Sequence, residues 1–258
     1  MLLTFYKYQG TGNDFIIIDN RSCTFPKDNN SLVASVCNRH FGIGADGLIL
    51  LENDENSDFK MVYFNADGKE STMCGNGGRC IVAFAKKLQL IDKKTKFLAV
   101  DGIHQAEIEI NIVSLQMMDV NEVKVSKNSV FTDTGSPHHI EIVEDLNHFP
   151  VIKEGRKIIN NIYGKEGCNI NFVKQIDDNT FKVRTYERGV EDETLACGTG
   201  VTAVGIAMHT TKKTSSKNIK LVTMGGDLEV QFDENKGCYT NIILSGPAQF
   251  IFKGTITI

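Results

Sequence analysis

Apolar residues in this chain come in short runs, the length of strands more than of helices. F-I-I-I-D at 15–19, G-L-I-L-L at 47–51, F-K-M-V-Y-F at 59–64 and A-E-I-E-I-N-I at 106–112 read as buried or half-buried strands. The second half repeats the style with H-I-E-I-V at 139–143, I-N-F-V at 170–173, F-K-V-R-T-Y at 181–186 and D-L-E-V-Q-F at 227–232. Each half has one clear helical stretch, 77–87 and 200–209. Ala, Val and Ile lie on nearly every side of both, which predicts a buried central helix in each half. A last run, F-I-F-K-G-T-I-T-I, follows all of these and is predicted to return to the first half.

Both helices begin at the same unusual element. E-S-T-M-C-G-N-G-G runs from Glu70 to Gly78, and E-T-L-A-C-G-T-G-V from Glu193 to Val201. Each reads Glu, a hydroxyl residue, two spacers, then Cys-Gly-x-Gly. The offset from Cys74 to Cys197 is 123 residues, and it carries other residues onto their like. Thr11-Gly12 lands on Thr134-Gly135, Tyr63 on Tyr186, and Gly102 on Gly225. Chance gives one or two such matches, not this set. The expected architecture is α+β: two similar, pseudo-symmetric domains, each a curved, mostly antiparallel sheet around a central helix. The expected boundaries are 1–118 with the last strand 249–258, and 119–248, with an active-site cleft between them.

Composition narrows the function classes. The chain has 258 residues, 41% hydrophobic and 23% charged, ordinary for a globular protein with ample core. A net charge of −4 gives no reason to expect nucleic acid or an anionic membrane as partner. No apolar run approaches the roughly 18 residues that span a bilayer. The opening residues lack the features of a secretory signal, so a cytoplasmic protein is expected. Seven cysteines without a C-x-x-C pair argue against a disulfide scaffold and against zinc.

A helix that starts at Cys-Gly-x-Gly offers unpaired N–H groups and the positive end of its dipole. Glycine lets a ligand come close to the backbone. Together these make a place for a carboxylate or phosphate. A thiol at such a helix end has its pKa lowered from about 8.5 into a range of roughly 3.5–7.5. Two such thiols on opposed domains suit inversion at a carbon. One thiolate removes an α-proton from one face, and the other thiol returns a proton to the opposite face. The helix ends stabilise the carboxylate as it gains enolate character.

Longer motifs extend the pattern: G-T-G-N-D-F at 10–15, F-N-A-D-G at 64–68, M-C-G-N-G-G-R-C at 73–80, G-S-P-H at 135–138, N-I-N-F-V at 169–173 and Y-E-R-G-V-E-D-E-T-L-A-C-G-T-G at 186–200. With these, nearly the whole chain resembles the diaminopimelate epimerases. The resemblance implies a two-domain fold and interconversion of LL- and meso-diaminopimelate in lysine and peptidoglycan precursor synthesis. It implies no pyridoxal phosphate or other cofactor, no metal, and a homodimer, although no sequence feature fixes the oligomeric state. By motif, Cys74 and Cys197 match the two acid–base residues. Gly75, Asn76, Gly198 and Thr199 match the backbone that holds the reacting carboxylate. Asn13, Asn65, Asn169 and Arg188 match substrate contacts, several of them to its distal end. Glu187 and His138 match the polar residues that hold the α-ammonium and tune the thiols. Three features depart from the family pattern: Gly47 stands where many members carry Gln, Ser136 replaces an Asn, and the loop after Arg188 is one residue longer.

Plainer readings exist for these residues. Cys23, Cys37, Cys80, Cys168 and Cys238 read as small core hydrophobes. Asn and Asp in the two glycine-rich motifs are common turn formers. His138 could be a strand-edge residue and Arg188 a surface residue. Glu70 and Glu193 read as supports for the loops that lead into each helix, and Asp46 as a loop-closing residue. Three other functions stay open. A proline or hydroxyproline racemase would share the chemistry without a second charged end on its substrate. A carboxylate-binding protein or a thiol-redox protein could use the same scaffold, with Cys74 and Cys197 as a regulatory disulfide. A hydride-transfer enzyme is excluded, because C-G-x-G is not the dinucleotide fingerprint.

Overall fold

The computed structural model describes residues 1–71 and 73–258. Thr72, a spacer of the first repeated element, lies outside the described residues. In chain order the elements are β1 (Leu2–Gly10), β2 (Asn13–Asp19), α1 (Asn30–Cys37), β3 (Gly47–Glu52), β4 (Phe59–Asn65), α2 (Gly75–Lys87), β5 (Lys94–Ala99), β6 (Gly102–Glu109) and β7 (Ile112–Gln116). They continue with β8 (Val123–Val125), β9 (Val130–Asp133), β10 (Pro137–Ile142), α3 (Val151–Ile158), β11 (Asn169–Gln175), β12 (Thr180–Glu187) and β13 (Asp192–Thr194). The last are α4 (Gly198–Thr210), β14 (Asn218–Thr223), β15 (Gly226–Asn235), β16 (Cys238–Pro247) and β17 (Gln249–Thr257). The chain forms two compact units, Met1–Leu115 with Gly246–Ile258, and Gln116–Ser245.

In the first unit β1 pairs antiparallel with both β2 and β17. From β2 the ladder runs β2–β3 parallel, β3–β4 antiparallel, β4–β5 parallel, then β5–β6 and β6–β7 antiparallel. In the second unit the sequence is the same. It runs β9–β10 antiparallel, β10–β11 parallel, β11–β12 antiparallel, β12–β14 parallel, then β14–β15 and β15–β16 antiparallel. α2 and α4 are each 13 residues long and start at equivalent places in the repeat, Gly75 and Gly198.

Parallel neighbours need a crossover, and a helix usually supplies it. α2 and α4 make the crossovers β4 to β5 and β12 to β14. α1 and α3 make the other two, β2 to β3 and β10 to β11. Each half therefore has a second helix, which the sequence pattern did not single out. These helices are only eight residues long, and α3 runs on into a five-residue π turn, Ile159–Tyr163. A second correction concerns 106–112. It is not one strand: β6 ends at Glu109, and Ile110-Asn111 turn the chain into β7. Ile110 takes a left-handed φ of 56° and is exposed, so the alternating pattern carries straight through a hairpin.

α2 is buried from Gly75 to Val82 and again at Phe84 and Ala85; α4 is buried at Gly198 and from Gly200 to Met208. Phe84 lies against the rings of Tyr6 and Tyr8, with centroids 4.8 and 6.0 Å away. Among the described residues no helix is long and apolar enough to cross a membrane. Because Phe84 is fully buried, Phe84→Ala should lower the unfolding free energy by about 3–5 kcal/mol in denaturant titrations. A loss below about 1 kcal/mol would mean that the core does not rest on this helix.

Candidate active site

In the first unit, Cys74 is the N-cap of α2, in extended conformation, and its side chain does not cap the helix. The first turn thus keeps N–H groups without a side-chain acceptor from the cap position, as an anion site requires. Cys74 Sγ lies 3.6 Å from Asn13 Oδ1, which also receives Asn76 Nδ2 at 3.4 Å. Asn13 is oriented from behind, since its Nδ2 donates to Asp46 Oδ2 at 2.6 Å. Asp46 also accepts from the Asp14 N–H and from Arg39. Asp46 therefore closes the 14–46 loop, as expected, and also aims Asn13 at the thiol. Burial pushes the Asp14 carboxyl up, but hydrogen bonds from Arg39 and Lys7 outweigh it and hold the group well below the usual range.

Asn65 is the exposed last residue of β4 and pairs across to Gly47. A Cβ on Gly47 would lie 2.6 Å from the Phe64 carbonyl oxygen and from the Tyr63 ring. The Gln found at this place in other members does not fit here, because Tyr63 fills the space. Glu70 makes a strand bridge to Phe64, in keeping with a loop-supporting role.

In the second unit, Cys197 is the N-cap of α4, again extended and again not capping. Its Sγ is 3.4 Å from the Thr199 hydroxyl, which is 2.9 Å from His138 Nε2. Asn171 fixes the direction of this chain. Its Oδ1 accepts from Thr185, and its Nδ2 donates to the His139 carbonyl and to His138 Nδ1. Nδ1 is therefore the acceptor, and the ring proton sits on Nε2. Nε2–H donates to Thr199 Oγ1, so the Thr199 hydroxyl proton points at Cys197. A Cβ on Gly200 would lie 2.7 Å from Asn171 Oδ1, which is why glycine stands there.

His138 is fully buried. Burial, helped by the Arg188 charge, holds its pKa at about 3, so it is neutral at physiological pH. Ser136 joins the network through His138, Thr199 and Asn169. The hydroxyl that replaces Asn is thus a working part of the relay. Asn169 is buried, donates to Ser136 and to the Pro137 carbonyl, and accepts the Arg188 N–H. It shapes the ground on which Arg188 stands. Arg188 is exposed, and its guanidinium is 3.3 Å from the Glu166 carbonyl. Glu187 accepts from Thr194 at 2.7 Å. The longer loop is organised by Glu191, which receives Tyr186 OH and the Gly189 N–H. Glu193 forms a two-pronged pair with Arg184 and is structural.

Within the first unit, then, the structure gathers Asn13, Cys74, Gly75 and Asn76. Within the second it gathers His138, Asn169, Glu187, Arg188, Cys197, Gly198 and Thr199. The sequence reading missed Asn171, Ser136 as a relay member, Thr185 and Arg79. Asn169 and Asn171 stand two apart in a strand and so share a face, a pattern that could have pointed to the second asparagine. Burial pushes the Cys37, Cys80 and Cys168 thiols up to about 12, in line with core roles.

A profile of diaminopimelate epimerase matches residues 5–124 and 130–251. The diaminopimelate epimerase of Flavobacterium psychrophilum is 60% identical over 97% of this chain and 99% of its own length. The chain belongs to the diaminopimelate epimerase family. The family enzymes of Chlorobaculum tepidum and Aquifex aeolicus are 41% and 37% identical, covering 96% and 99% of this chain and 99% and 98% of their own. Among solved structures, a PhzF-family phenazine biosynthesis protein of Bacillus anthracis superposes with a TM-score of 0.78 at 14% identity, covering both chains fully. A hydroxyproline epimerase from Agrobacterium vitis, with trans-4-hydroxy-L-proline bound, gives 0.71 at 12% identity over 99% of this chain and 92% of its own. At these identities the likeness is one of fold, and it agrees with the two repeated α+β domains.

The buried His138 has a consequence for acid stability. Unfolded, the ring takes a proton near pH 6.5; folded, it stays neutral to about 3. The unfolded state binds the extra proton between these values, so this term weakens the fold as pH falls through 6.5. His138→Gln should flatten the loss of unfolding free energy between pH 7 and 4 by a few kcal/mol relative to the parent. Parallel pH dependences in the two proteins would contradict a neutral buried ring.

Proposed function

We propose that this chain interconverts LL- and meso-diaminopimelate by proton abstraction and redelivery between Cys74 and Cys197. One observation carries the mechanism. The same thiol stands at the same position of the same helix in both units, and each thiol lies in hydrogen-bond reach of a polar side chain. An acid–base residue must hold a proton and give it up, so it needs a partner for each form. Asn13 Oδ1 accepts from the Cys74 thiol, and the Thr199 hydroxyl donates to the Cys197 thiolate.

The reacting carboxylate would lie on the first-turn N–H groups of Gly75, Asn76, Gly198 and Thr199, where oriented donors stabilise the developing enolate charge. Glu187 would take the α-ammonium. Asn65 and Arg188, both exposed, would take the distal amino-acid end, the guanidinium matching a carboxylate in fork geometry. An exposed Arg favours a long dipolar substrate over proline, which has no second charged end. The relatives are named for this reaction, which serves lysine biosynthesis and, through meso-diaminopimelate, peptidoglycan precursors.

The test is epimerisation of LL-diaminopimelate by reduced protein without added cofactor. Cys74→Ser and Cys197→Ser should each lower kcat by about 10²–10⁴-fold, since serine is far too weak an acid to exchange the proton. Full activity in either variant would sink the two-base mechanism, and turnover of proline instead would redirect the substrate.

A further inference from the structure

Arg79 lies in the first turns of α2 with no exposed surface. That is a costly place for a cation twice over. Burial penalises its charge, and a helix N-terminus is the positive end of a dipole. Guanidinium does not lose its proton in proteins, so the charge must be met where it stands. Its hydrogen-bond acceptors are all neutral: Asn76 Oδ1 at 2.9 Å, Thr11 Oγ1 at 3.0 Å, the Gly75 carbonyl at 3.3 Å and the Pro247 carbonyl at 3.5 Å. Gly10 of β1 leaves room for it, since a Cβ there would sit 3.4 Å from Nη2. Among the described residues no carboxylate pairs with it. Burial is the main influence on its pKa and lowers it; opposing that are negative charge at Cys80 and at Cys74. Cys80 and the nearby Tyr8 are held neutral, the thiol pushed up to about 12 by burial and the phenol raised likewise. One group in reach is left to carry an anion.

We infer that Arg79 is the built-in counter-charge for the thiolate of Cys74, a positioning residue that acts through the thiol and through Asn76. Asn76 Oδ1 accepts from Arg79, which turns Asn76 Nδ2 toward Asn13 and the Cys74 thiol. The second unit has no such cation. The equivalent repeat position is Thr202, whose hydroxyl donates to the Gly198 carbonyl, and Cys197 faces a relay that ends in the neutral His138. The two thiols therefore differ in kind: Cys74 is favoured as the base, Cys197 as the acid.

This inference rests on Cys74 being an acid–base residue, but its test reads the thiol directly, whatever the substrate. Purified protein is alkylated with iodoacetamide between pH 5 and 10, and the Cys74 and Cys197 peptides are followed separately by mass spectrometry. Arg79→Gln should move the Cys74 midpoint upward by at least about one pH unit, a tenfold loss of reactivity near pH 7. Cys197 should be unmoved, and Arg79→Lys should restore most of the parental Cys74 profile. An unmoved Cys74 midpoint in Arg79→Gln would overturn the assignment. If KM for diaminopimelate then rises, the cation serves the substrate carboxylate instead. Should Arg79→Gln fail to fold, Cys74→Ser gives the answer from the other side. Its stability deficit against the parent should be larger at pH 8.5 than at pH 5, because the ion pair forms only with the thiolate. A deficit that does not change with pH overturns the inference equally.

Discussion

Everything in the candidate site depends on a helix that enters the middle of a sheet with its first turn uncapped by its own cysteine. A buried helix start has N–H groups to satisfy and a positive dipole end to balance. Most helices meet this with Ser, Thr, Asp or Asn at the N-cap. Here the N-cap is a cysteine that does not cap, so a donor surface is held for something that arrives. The glycines that follow keep side chains away from it. The structure repeats this arrangement in both units, at equivalent residues of helices of equal length.

Around that shared core the two halves have grown different electrostatics. Cys197 ends a one-way chain of hydrogen bonds that starts at Thr185 and runs through Asn171, His138 and Thr199. Every member is neutral, and burial keeps His138 so. Cys74 stands instead near a buried guanidinium whose hydrogen-bond acceptors carry no charge. A reaction that runs both ways over one carbon does not require identical thiols. It requires that one be anionic when the other is protonated, and unlike surroundings favour that outcome before any substrate binds.

Much of the fold was legible because a strand buried on both faces reads as an unbroken apolar run, as at 15–19 and 47–51. The helices α2 and α4 announced themselves by being apolar all round. α1 and α3 did not, since each is short and shows a partner only part of its surface. The hairpin at Ile110 was hidden because its alternation does not break at the turn. The cysteines, the glycines and Arg188 were legible as motifs. Asn171 and Arg79 were not, because their roles come from burial and from what they touch, neither of which a single sequence states. Ser136 looked like a loss beside the usual Asn, and only its three partners show that it belongs to the relay.

The most direct measurement is the fate of solvent deuterium at the start of the reaction. LL-diaminopimelate is incubated in heavy water with the parent protein, and the α-deuterium content of both isomers is followed over the first few per cent of turnover. Two bases that do not share a proton put deuterium into the meso product while the remaining LL substrate stays unlabelled. Label entering the recovered LL substrate as fast as the product would mean that a single base serves both faces, and the paired-cysteine reading would be wrong.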